Sequence, residues 1–109
     1  MDALIKRLEK LEFQQRLLLG MLPHTGHEFD KLIIEKDLSE QETRQFHEMC
    51  ERLNKEYEEQ KAEGFVFYVP LFKEFKESLH PALDPKQVIK ACVKQKLYTE
   101  LMQLLEQNL

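Results

Sequence analysis

At 109 residues the chain has the length of one domain, and folding at this size buries roughly two-thirds of the extended surface, enough for a core that needs no metal or disulfide scaffold. Hydrophobic residues at 42% beside 33% charged exclude a disordered chain, and a net charge of −4 works against a general phosphate-binding surface. The acidic excess belongs to residues 1–64, with ten Lys/Arg against fifteen Asp/Glu, whereas residues 65–109 carry six against five.

The first segment places Leu4, Leu8, Leu11, Gln15, Leu18 and Leu22 at alternating spacings of four and three. That is the a/d seam of a heptad repeat. Ile5 and Leu19 add a second apolar strip, and Pro23 stops the helix. One strip can face the chain's own bundle and the other a second copy, so residues 1–22 are expected to join a homodimer or homotrimer. Gln15 sits at an a-like position, where a buried polar side chain restricts register and partner number by requiring a hydrogen-bonding mate.

Thr25 and Glu28 have capping-box spacing and open a second helix whose inner face is Phe29, Leu32 and Ile33. Ser39 and Glu42 repeat that spacing before a third helix, which carries Phe46, Met49, Cys50, Leu53 and Tyr57 on one stripe and closes at Gly64. Residues 65–72, "FVFYVPLF", change period at Pro70, predicted as a first helical position. Before it, Phe65 and Phe67 alternate in an extended connector; after it, Phe72, Phe75 and Leu79 set a fourth helix. Phe46, Phe65, Phe67, Phe72 and Phe75 are expected as core aromatics, because so many exposed rings would form a sticky patch.

Asp84, Pro85 and Gln87 then stand at N-cap, N1 and N3 of a fifth helix, with Leu83 and Val88 spaced as a hydrophobic staple. Leu97, Leu101, Met102, Leu104 and Leu105 mark a sixth. With no strand signal outside residues 65–69, the class is all-α: a compact bundle of about six helices in a single domain, residues 1–109, with residues 25–109 as the body.

Chemistry is sparsely signalled. His24, His27 and Glu28, or His47 with Cys50, lack the spacing of any recognised metal site, and Glu28 already serves a cap. His80 before Pro81 suits a helix end, and Ser39 is spent on its cap. No nucleophile elbow or glycine-rich phosphate loop is present. The expectation is no catalytic, metal or cofactor site. Lys86, Lys90 and Lys94 form a line on the fifth helix with Lys96 beyond it, the best case for nucleic acid. The following helix, however, offers Thr99, Glu100, Gln103, Glu106 and Gln107, poor readers of phosphates, so nucleic acid is disfavoured as a partner. Cys50 and Cys92 lie on apolar stripes as free thiols do in a reducing cytosol. Charge interspersed through "MDALIKRLEKLEF" leaves no uninterrupted apolar leader, and no apolar run approaches a membrane span. A cytoplasmic protein without a membrane partner is expected.

The segments "IKRLEKLEF", "LIIEKDLSEQE", "KAEGFV" and "QKLYTELM", in this order, resemble the YhaI-like proteins, small bacterial domains of unknown function known chiefly from bacilli. The resemblance spans nearly the whole chain, with the "KAEGFV" junction its most distinctive part. It implies a compact helical fold in a bacterial cytosol and supplies no activity. Asp37 and Lys96 occupy turns where the family usually has Gly; Asp tolerates a left-handed conformation better than Lys does, which implies a strained or reshaped turn at Lys96. The leading functional expectation is a non-enzymatic, self-associating regulatory or scaffolding module, with itself and an unidentified protein as partners. A nucleic-acid-linked transcriptional regulator using residues 86–96 is the alternative, and a small enzyme or ligand-binding protein the third.

Overall fold

The computed structural model describes residues 1–23 and 26–109 and contains six helices and no strand among them. The all-α expectation holds. The order is α1 (Asp2–Met21), α2 (Glu28–Glu35), α3 (Glu40–Ala62), α4 (Tyr68–Ser78), α5 (Pro85–Gln95) and α6 (Thr99–Glu106). Helix α5 packs against α2 and α6, and α4 lies between α3 and α6. Together α2–α6 enclose one core.

That core is built from the predicted stripes. Phe29, Phe46, Leu53, Phe75, Ile89 and Leu105 are all buried, and among the described residues no buried side chain is polar or charged. Helix α1 contributes no buried residue. The molecule consequently measures 60 × 29 × 19 Å, far longer than a five-helix body requires.

The helix boundaries follow from local hydrogen bonding. The Ser39–Glu42 capping box forms in both directions, with Ser39 Oγ accepting from Glu42 N–H at 3.1 Å and Glu42 Oε1 from Ser39 N–H at 2.9 Å. Asp84 caps α5 by accepting from Gln87 N–H at 3.0 Å, ahead of Pro85 at N1, and both staple residues, Leu83 and Val88, are buried. Thr25, the expected N-cap of α2, lies outside the described residues, but α2 starts at Glu28 with His27 at its N-cap, so Glu28 is its first residue rather than the third of a capping box. Glu28 does reach back, accepting from Gly26 N–H at 3.0 Å.

Three helices end in the same paired turn, in which a 6→1 and a 5→2 hydrogen bond close over a left-handed residue. Gly64 fills that position after α3 at φ 88°, with Phe65 N–H donating to Gln60 O and Gly64 N–H to Lys61 O. Asp37 (φ 56°) and Lys96 (φ 62°) fill it after α2 and α5. Their bonds run from Leu38 to Ile33 and from Leu97 to Cys92. These are the two turns the family pattern marked. A left-handed conformation costs an ordinary residue roughly 1–2 kcal/mol, so each turn holds its shape against a local penalty.

Two further expectations need correction. Helix α4 starts at Tyr68, which makes Pro70 its third residue rather than its first. The reason is that N–H groups throughout the first turn lack intrahelical partners, so proline loses no bond at any of those positions. Phe65 and Phe67 do not fill the core: they are 66% and 53% exposed. Alternation marks an extended backbone but does not place a body beneath it. Phe46 and Phe75 are buried as expected, and Phe72 packs half-buried at the core edge.

Candidate functional site

Helix α1 is rich in Leu, Lys, Glu and Gln, strong helix formers without a β-branched run, and Pro23 follows its last turn. Along it, Leu4, Leu8, Leu11 and Leu18 are each between 46% and 61% exposed, and Gln15 between them faces solvent as well. Leu22, which closes the helix, is exposed too. The seam is therefore uncovered within one chain. Leu19, from the second strip, is half-buried and shares with Ile34 of α2 a shallow groove edged by Glu12, Gln15 and Arg16. The strip touches the chain's own body at that end only, since Ile5 is 49% exposed.

The two halves of α1 differ. Off the seam, the first half presents Asp2, Lys6, Arg7, Glu9 and Lys10, while the second presents Phe13, Leu17 and Met21. The second half keeps Glu12, Gln14 and Arg16 as well, so it is apolar on more sides than the first without being apolar throughout. Among the described residues neither Arg7 nor Glu12 forms an ion pair within the chain.

A second exposed apolar patch lies at the corner between α3 and α4. Phe65 and Phe67 meet edge to face with centroids 4.9 Å apart, and Tyr68 and Val69 continue the patch in the first turn of α4. Gln60, near the end of α3, fixes the corner by accepting from Phe67 N–H at 2.8 Å.

The lysine line is where periodicity put it. Lys86, Lys90 and Lys94 are exposed on α5, and Lys90 and Lys94 join Lys31 around an open groove of about 440 Å³ floored by Leu22, Leu32 and Ala91. Glu28 and Glu35 line the same groove and offset its charge. Helix α6 exposes Thr99, Glu100 and Gln103, and Glu100 is engaged by Lys61 at 3.4 Å.

The candidate chemical residues are tied into the fold. His47 Nδ1 lies 2.9 Å from the Tyr98 hydroxyl, and its ring packs against Phe29 and Phe46. Desolvation pushes the Tyr98 hydroxyl up to about 12. His80 contacts Glu42 through Nε2 and accepts from Ala82 N–H through Nδ1, so it braces the α4–α5 turn against the start of α3. The hydrogen bond from Ser39 N–H, then the one with His80, hold the Glu42 carboxyl below its ordinary value. Burial raises the thiol of Cys50 and pushes that of Cys92 up to about 12, so at neutral pH both are protonated and shielded. Among the described residues no three His, Cys, Asp or Glu side chains converge as a metal would require. No described helix is long and apolar enough to cross a membrane.

Sequence reasoning missed Gln95. Its side-chain Oε1 accepts from Phe29 N–H at 2.8 Å and Asp30 N–H at 3.0 Å, capping α2 from the far end of α5, whereas His27 at the N-cap position supplies no side-chain bond. A partner 66 residues away leaves no local spacing signal. A family model described as a protein of unknown function (DUF1878) matches residues 1–109, the full length given.

Proposed function

We propose that this chain, which belongs to the DUF1878 family of proteins of unknown function, is a non-enzymatic interaction module that assembles with copies of itself through α1. The observation that carries this reading is the uncovered seam. Eight large apolar side chains between Leu4 and Met21 are exposed on a helix with no buried residue. An isolated helix of this length is marginal in water, and helices gain most of their stability from packing an apolar face. A second copy supplies such a face with matching geometry. The assembly is a dimer or trimer, and the body α2–α6 is what it displays.

The Phe65–Phe67 corner supports a regulatory or scaffolding role, because paired rings held by Gln60 offer an apolar protein segment a rigid contact at little entropic cost. Nucleic acid has no place in this reading: the lysine line adjoins Glu28 and Glu35, and α6 turns acidic and amide side chains outward. The buried, protonated cysteines offer an enzyme reading no thiolate nucleophile. The YhaI-like resemblance supports reading the module as one that works in a bacterial cytosol.

Light scattering behind a sizing column tests the proposal at tens of micromolar protein. Wild-type mass should be two or three times the 13.1 kDa chain, and Leu8→Glu with Leu11→Glu should reduce it to one. A wild-type mass near 13.1 kDa would sink the reading.

A further inference from the structure

We infer that copies of α1 pair in parallel and in register, so that all bodies gather at the C-terminal end of a common stalk. The inference rests on self-association through α1, and three features of the helix choose this orientation. The first is charge. With Leu8, Gln15 and Leu22 at a and Leu4, Leu11 and Leu18 at d, the flanking g and e positions include Arg7 and Glu12. Parallel strands place a g residue beside the e residue five positions later on the neighbouring strand, which sets Arg7 against Glu12 of the next copy at every interface. Both side chains are exposed and without an ion pair in their own chain. An antiparallel pair overlapping along the full seam opposes Leu4 to Leu22 and Leu8 to Leu18. It then brings Glu12 beside Glu12 and leaves Arg7 beside Met21.

The second feature is Gln15. In parallel strands it shares a layer with its own copies, where amide can donate to amide. The antiparallel pairing sets it against Leu11, which satisfies neither its donors nor its acceptor. The third is the asymmetry of the helix. Its first half is apolar only along the seam and its nearest flank, as a free stalk is, while its second half adds Phe13, Leu17 and Met21 off the seam. Parallel packing brings every second half together with the bodies that follow it. Phe13 and Leu17 fall at f and c, turned away from the partner helix, so the bodies gathered at that end are the neighbours available to them.

Cysteine trapping in the full-length chain distinguishes the possibilities, because Cys50 and Cys92 are buried and do not compete. Leu4→Cys and Leu11→Cys, each made alone, should form an intermolecular disulfide on mild oxidation, since each d residue meets its own copy. An oligomer in which neither single variant cross-links, but Leu4→Cys with Leu22→Cys does, overturns the parallel register while preserving self-association. A monomer by light scattering fails the underlying reading instead. Glu12→Gln supplies a check without cysteine: losing the Arg7 pairing should weaken association about two- to tenfold at low salt. Tighter association would show that Glu12 faces its own copy and that the strands are antiparallel.

Discussion

Replacing Gln95 with Met keeps the length and packing of the side chain but removes the oxygen that caps α2. Two N–H donors lose their acceptor. The Phe29 donor is partly buried and the Asp30 donor exposed, so water takes over the second more readily than the first. Losing an N-cap costs about 1 kcal/mol, and an unsatisfied buried donor about 1–3 kcal/mol. Partial burial places the expected loss at about 1–2 kcal/mol. For a chain of this length that lowers the melting temperature by roughly 4–8 °C. The melt is best followed by circular dichroism in the Leu8→Glu, Leu11→Glu background, where association does not add a concentration-dependent term. Amide exchange gives the local readout, with Phe29 and Asp30 losing protection before the centre of α3. A melting temperature within about 1 °C of the parent, or full protection at those two amides, would refute the cap. The consequence reaches past stability: α2 connects the stalk helix to the body, and Gln95 is the tie from α5 to its first turn.

Two further substitution sets probe the body. Phe75→Ala, at a position with no solvent exposure, should cost about 3–5 kcal/mol in chemical denaturation, whereas Phe65→Ser and Phe67→Ser should each stay within about 0.5 kcal/mol. Equal losses at all three would mean that the corner rings are core after all. Glu42 has a folded-state value lowered by the Ser39 N–H and by His80, so its contribution is complete above the ordinary carboxylate value and disappears as pH falls through the lower folded one. Glu42→Gln should therefore melt below wild type at pH 7, and the two curves should converge as pH drops below about 4. A gap that persists under acid would assign the loss to shape rather than charge.

What was legible in the sequence was whatever the chain decides over a few residues. Ser39 with Glu42, and Asp84 with Pro85 and Gln87, act across three positions and announce helix starts in any context. Gly64 announces an end by the same logic. Apolar periodicity also located the stripes of α3, α5 and α6 correctly, because a stripe that covers a core must repeat at the helical period. Burial of an irregular segment has no such period. Phe65 and Phe67 alternate like buried strand residues, yet only the path of α4 decides whether anything lies beneath them. Gln95 is the extreme case, since its role exists only after α2 and α5 have docked.

Helix α1 falls between these cases, and for a physical reason. A heptad seam specifies the shape of its partner's surface without naming the chain that carries it, so Leu4 to Leu22 are equally suited to the body or to another molecule. The body covers little of it: α2–α6 close their own core, and α1 borders them along two open grooves, through Glu12, Gln15, Arg16 and Leu19 in one and Leu22 in the other. What remains is a selection among partners by polar residues, which Arg7, Glu12 and Gln15 supply. Each is satisfied by its own counterpart in parallel register, and Glu12 and Gln15 are set against unfavourable neighbours in the reverse one. In the proposed assembly leucines make α1 associate, and these three polar side chains decide with what and in which direction.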